Sequence, residues 1–134
     1  MTTQRGFTLI ELLVVTLILG VLIAIALPSY LSSAKEARHK TANANSRSIA
    51  AAVQALYVRG SGKTYEDPIV TDAAILGELG GAAPVNPCTG GNVLGTDYVV
   101  NRSVDGANVK AAAGTLCTAT ELKTVRLGVQ GVGS

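Results

Sequence analysis

The stretch Phe7-Thr8-Leu9-Ile10-Glu11-Leu12 opens a run that continues to Leu27 and carries one charge, Glu11, in 21 residues. From Leu12 to Leu27 nothing ionises, and the least apolar members are Thr16 and Gly20. At about 1.5 Å of rise per residue, a helix of that length spans roughly 30 Å, the thickness of a bilayer's hydrocarbon core. The next charge after Glu11 is Lys35. The pattern predicts a hydrophobic membrane helix over residues 7–29 and a small domain over 30–134. The bland alternative is a cleaved secretory signal, since small residues follow in Pro28-Ser29-Tyr30-Leu31-Ser32-Ser33-Ala34. The apolar core of such a signal runs about 7–15 residues and carries no acid. The length of this run and Glu11 both favour retention.

Composition agrees with that division. Of 134 residues, 48% are hydrophobic and only 15% charged, against roughly 25% charged in an average soluble domain. The mean hydropathy of +0.37 is high, and it is concentrated at one end. The length fits one domain, and the composition excludes a disordered chain, which would be polar and rich in charge. Eleven Lys and Arg stand against nine Asp and Glu, a formal charge of +2 with no basic block. That balance argues against a strongly basic nucleic-acid-binding domain.

Glu11 carries the chemistry. An ionised carboxylate in a membrane helix costs about 2.5–3.5 kcal/mol on insertion scales, so it must be hidden, protonated or paired. The run contains no base. A cut after Gly6 would supply one, because Phe7 would then carry a free amine one helical turn before Glu11, in the same chain or a neighbouring one. The plainer reading leaves Glu11 hydrated at the membrane interface.

Arg5-Gly6-Phe7-Thr8-Leu9-Ile10-Glu11-Leu12, ahead of the aliphatic run, resembles the type IV pilin signature. The resemblance covers the first 30 or so residues. It implies an α+β, type IV pilin-like fold, with the C-terminal half of a long N-terminal helix packed on a small antiparallel sheet. It implies a leader, Met1–Gly6, removed by a prepilin peptidase between Gly6 and Phe7, and N-methylation of Phe7 by the same enzyme. Methylation keeps the positive charge. Glu11 would then neutralise the Phe7 ammonium of an adjacent subunit, a contact made strong by the low dielectric of a filament core. Pro28 occupies the place of the family's kink proline. It lacks an N–H and its ring crowds the preceding turn, so a bend or a melted segment is expected near Ala24–Pro28. The implied partners are other copies in a helical filament, the peptidase and methyltransferase, a pilus assembly platform, other pilins, and the inner membrane before assembly. The implied location is the inner membrane for the precursor, with the C-terminal domain outside, and an extracellular filament once assembled. Charge counting alone does not set this topology, because Lys35, Arg38 and Lys40 on the far flank outvote Arg5. The leader and the cysteine pair place the N-terminus in the cytoplasm.

Beyond Pro28 the helical pattern resumes. Small residues recur from Tyr30 through Ala34, Ala37, Thr41, Ala44, Ser48 and Ala51 to Ala55, and Ala42, Ile49, Ala52, Val53 and Leu56 form a second apolar stripe beside them. The second stripe is expected to carry the head, and the first to face neighbouring subunits or solvent. Glu36 and Lys40 form an i,i+4 pair in the favourable order. The helix should run from Phe7 to about Val58 and stop at Arg59-Gly60, where Gly60 suits a left-handed cap. Residues 59–96 read as loop. Within them Tyr65-Glu66-Asp67-Pro68 is a turn, and Asp72–Gly81 holds a short helix capped by Thr71 or Asp72. The pattern then changes to three antiparallel strands within 97–130. These are Tyr98–Val104, Ala107–Leu116 after an Asp105-Gly106 hairpin turn, and Lys123–Val129.

Two cysteines, Cys88 and Cys117, allow one disulfide. The pilin resemblance favours that bond, since the family often staples its C-terminal region. The alternative is two free thiols in a cytosolic domain. The spacing does not suit zinc. His39, between Arg38 and Lys40, reads as a solvated surface residue. Asp97 and Asp105 flank a strand as turn residues do. Asp67 and Asp72 fit no calcium loop. Gly80-Gly81 and Gly90-Gly91 lack the Lys-Ser/Thr of a phosphate cradle. No nucleophile–base set is present, so no catalytic residue, metal ligand or cofactor is expected. Lys63, Arg102, Lys110, Lys123 and Arg126 are the candidate basic residues for nucleic acid, a possible partner that their scatter does not indicate. The leading expectation is a pilin that polymerises into a type IV pilus. The alternatives are a type II secretion pseudopilin, against whose major form the cysteine pair leans mildly, a minor pilin that contacts DNA or a surface, and a signal-anchored enzyme.

Overall fold

A computed structural model describes residues 6–60, 64–67 and 70–128 of the chain. Its elements are α1 (Leu9–Arg59), α2 (Asp72–Glu78), β1 (Tyr98–Ser103), β2 (Gly106–Ala111) and β3 (Val125–Gly128). The strands form one antiparallel sheet in the order β1-β2-β3, so the fold is the expected α+β arrangement. The chain divides into two compact units, Met1–Ala34 and Lys35–Ser134.

The first unit is the apolar part of α1. The large side chains from Leu9 to Leu27 are exposed throughout, and this helix is long and apolar enough to cross a membrane. Every residue from Ala24 to Pro28 is helical, so the melted segment allowed for near Pro28 is not there. Pro28 has no N–H to return to the Ala24 carbonyl. Its own carbonyl accepts a bond from the Ser32 hydroxyl at 3.0 Å.

In the second unit, α1 buries Ala42, Ile49, Ala52, Val53 and Leu56, the stripe read from the sequence, together with His39, Ser46, Ala50 and Tyr57. The small-residue stripe at Thr41, Ala44, Ser48, Ala51 and Ala55 stays exposed. The helix ends at Arg59, with the Gly60 N–H donating to Leu56 O at 2.9 Å. The inner face of the sheet, with Tyr98 from β1 and Ala107, Val109 and Ala111 from β2, joins the helical stripe in one core. The two fully buried tyrosines, Tyr65 and Tyr98, satisfy their hydroxyls against α1. Asn45 Nδ2 donates to Tyr98 Oη at 3.0 Å and to the Val85 carbonyl at 2.9 Å. Tyr65 Oη donates to Gln54 and stacks on Tyr57 with ring centroids 4.2 Å apart. Burial raises both phenols above the usual tyrosine value. Tyr57 adds to the rise at Tyr65 and the Gln54 bond opposes it, while at Tyr98 the Asn45 bond opposes it and Asp97 adds to it.

Helix α2 begins as its sequence dictates. Thr71 is the N-cap, accepting a bond from the Ala74 N–H at 3.1 Å. Ion pairs tie its two ends to the neighbouring elements, Arg102 to Asp72 at 2.6 Å and Arg59 to Glu78.

Three expectations for the head require correction. The hairpin register pairs Ser103 with Gly106, so the two-residue turn is Val104–Asp105 and Gly106 is the first residue of β2. A Cβ on Gly106 would sit 2.4 Å from Leu127 O. Glycine is therefore needed there for the close approach of β3. The second strand stops at Ala111, short of Leu116, and β3 begins at Val125, with Val129 outside the described residues. Asp97 is buried, 7% exposed, and is no ordinary turn residue. Its carboxylate accepts bonds from the Thr89 hydroxyl at 2.6 Å and the Val93 N–H at 2.9 Å. These two donors, the Thr89 hydroxyl first, hold its carboxyl below the usual carboxylate range against the opposing effect of burial.

Candidate functional site

The site begins where α1 begins. Gly6 and Phe7 precede the helix, and Phe7 is 77% exposed. Thr8 and Glu11 then close on each other. Thr8 Oγ1 accepts a bond from the Glu11 N–H at 3.3 Å, while a Glu11 carboxylate oxygen accepts from the Thr8 N–H at 3.4 Å and from the Thr8 hydroxyl at 3.2 Å. This is a reciprocal capping box, in which Thr-x-x-Glu satisfies two backbone donors that a helix start leaves open. The carboxylate also sits at the positive end of the helix dipole.

The capping box changes the reading of Glu11. The acid has partners within its own chain, although the run offers no base. The box's signal in the sequence is Thr8 three residues before Glu11 at the start of an apolar run. The arrangement leaves the carboxylate exposed at the start of a helix. A group placed this way can pair with a cation brought by another molecule without first being unburied.

The remaining predicted residues lie apart from this place. Pro28 sits within α1. Cys88 and Cys117 are joined in a disulfide in the head, with Cα atoms 5.2 Å apart and a sequence separation of 29. Gly114 packs against the Cys88 backbone so closely that a Cβ would fall 2.1 Å from Cys88 O. Met1–Arg5, Lys63 and Pro68 lie outside the described residues.

The candidate basic residues do not converge. Arg102 is paired with Asp72. Lys110 and Arg126 are on the outer face of the sheet, since Val109 and Leu127 beside them face inward. Lys123 lines a cleft near His39. Among the described residues, no group of three His, Cys, Asp or Glu is placed to hold a metal ion.

His39 requires the largest correction. It is buried, 5% exposed, where a solvated position was expected. Nε2 accepts a bond from the Thr118 N–H at 3.2 Å, and Nδ1 lies against Glu121. The charged neighbours Arg38 and Lys40 are exposed, and they concealed the helical position of His39. Counting +3 to Ala42 and +7 to Ser46 places it on the buried side.

A comparison with known protein families bears on the same N-terminal stretch. Residues 1–27 match the family model described as the prokaryotic N-terminal methylation motif. The chain is also similar to the type II secretion system core protein G of Pseudomonas aeruginosa, with 44% identity over 50 residues. That match covers 37% of this chain and 35% of the relative, so it spans about a third of the relative's length. No solved structure matches the chain. The chain thus carries a prokaryotic N-terminal methylation motif at the start of a long apolar helix, followed by an α+β head, and in these features it is similar to type IV pilin-like proteins.

Proposed function

We propose that the chain is a structural subunit, processed at Gly6–Phe7, held in the inner membrane by residues 7–29, and polymerised with its own kind into a type IV pilus filament. It is not an enzyme on this reading. One observation carries the proposal: an exposed Glu11 carboxylate at the start of an apolar helix whose large side chains are all exposed from Leu9 to Leu27. Lipid or neighbouring copies of that helix must cover the apolar surface. A carboxylate in such surroundings needs a cation, and a Phe7 ammonium of the adjacent subunit meets that need. The capping box holds the acid until the cation arrives. Pro28 is the proposed bend in the helix. The partners on this reading are a prepilin peptidase and methyltransferase, an assembly platform and other pilins.

A second reading is a pseudopilin of a type II secretion system, supported by the similarity to core protein G. The disulfide weighs mildly toward the pilus. Intact-mass measurement of the membrane-derived protein tests the shared part. It should begin at N-methylated Phe7, and a mature protein that retains Met1 contradicts both readings. Shearing of cells separates them. Filaments released from the surface and containing this chain support the pilus, and filaments kept beneath the outer envelope support the pseudopilin.

A further inference from the structure

His39 and Asn43 lie one turn apart on α1 and grip the same piece of chain. The Asn43 amide donates to Glu121 O at 3.1 Å and its Oδ1 accepts from the Lys123 N–H at 2.8 Å. His39 Nε2 accepts from the Thr118 N–H. The gripped segment, residues 118–123, runs between the disulfide at Cys117 and the start of β3 at Val125. Three bonds from two side chains thus dock it on the helix, and Leu122 is buried beneath it. Of those two side chains only the His39 imidazole can take up a further proton.

An imidazole nitrogen that accepts a backbone N–H must itself be unprotonated. The docked state therefore requires neutral His39, with its proton on Nδ1 toward Glu121 Oε2. Nδ1 is buried and touches that oxygen without the alignment of a hydrogen bond. A second proton would put an N–H on Nε2, directly against the Thr118 N–H. Two donors then face each other, and a cation is held where solvent barely reaches. The groups around it are Glu36, Lys40 and Arg47 from α1, and Glu121 and Lys123 from the docked segment, all lining one cleft of about 530 Å³. Glu36 is taken by Lys40 at 2.8 Å. That leaves Glu121 to offset the new charge, against Arg47 and Lys123. Glu121 is 60% exposed, so it can follow the ring outward as readily as hold it in. The backbone bond at Thr118 is the contact that protonation removes outright.

We infer that His39 is a proton-operated latch: neutral, it pins Thr118 to α1, and protonated, it releases the front of the 118–123 segment while Asn43 keeps the rear. The device acts on the head alone and does not depend on how the chain assembles.

Residue-resolved amide exchange on the full chain in detergent micelles, at pH 7.5 and 5.5, tests it. After correction for the intrinsic pH dependence of exchange, Thr118 protection should fall at least tenfold at pH 5.5. Lys123, held by Asn43, and Val109, in the central strand, should change less than twofold. His39→Gln supplies an acceptor that does not titrate, and in that variant Thr118 should lose its pH response. Equal Thr118 protection at both pH values in the wild type overturns the latch. So does an equal loss at Lys123, and so does a pH response that survives in His39→Gln.

Discussion

Asp97 and Asn86 show how much a single side chain can organise. Asn86 is fully buried and uses its whole amide, donating to Asp97 O at 2.7 Å and Ala112 O at 3.1 Å and accepting from the Cys88 N–H at 2.9 Å. Asp97 holds Thr89 and Val93 on the same loop, and a Cβ on Gly91 would fall 2.3 Å from its carboxylate. The folded value of Asp97 is depressed, so its contribution is present above the unfolded value of about 3.9 and is lost as pH falls through the folded one. Asp97→Asn should lower the head's melting temperature at pH 7 by several degrees, and a pH series of melts should show the gap to wild type closing below about pH 4. A gap that stays constant across the series means the carboxylate charge is not what holds the loop. These roles were hidden in the sequence, because Asn and Asp before Pro, Gly or Tyr read as loop residues whether buried or not. The Thr8–Glu11 box and the burial of His39 are both legible from spacing, the second against the charge of Arg38 and Lys40 beside it.

At the level of elements, the sequence was read well where periodicity decides. The α1 stripe, the Thr71 cap and the three strands follow from apolar spacing and from one side chain accepting one backbone N–H. The hairpin was displaced by one residue for a physical reason. Asp-Gly is the usual turn pair, but Gly106 is there to let the Leu127 carbonyl come close, a long-range contact that local sequence does not reveal. Gly106→Ala should therefore destabilise through β3. Gly114→Ala should act harder, because its Cβ would fall 2.1 Å from Cys88 O, closer than the 2.4 Å at Gly106, and Cys88 is held by its disulfide. Overpacking of this kind costs about 1–3 kcal/mol. Denaturant titration should place Gly114→Ala in that range, and a loss well under 1 kcal/mol would show that the loop at Cys88 yields.

At the scale of the whole molecule, the two units rest on different physics. The head has its own core and its own staple, whereas the apolar helix of the first unit buries none of its large side chains. Cys88→Ser with Cys117→Ser should cost the head about 2–5 kcal/mol, while helicity over residues 9–34 stays unchanged in micelles. Loss of the helix together with the head would show that the units are coupled. The disulfide was legible because two cysteines leave one pairing and the pilin resemblance favours the bond over two free thiols. The function proposed for the first unit rests on its exposed apolar surface and the acid at its start, and both are legible in the sequence.

Glu11 provides the most direct test, because glutamine separates its two roles. Glu11→Gln keeps a side chain able to complete the capping box and removes the charge that a neighbouring Phe7 ammonium requires. Filament yield from cells expressing Glu11→Gln, at matched membrane levels of processed subunit, should fall at least tenfold below wild type. Filaments formed at the wild-type yield would contradict the charge-pair account.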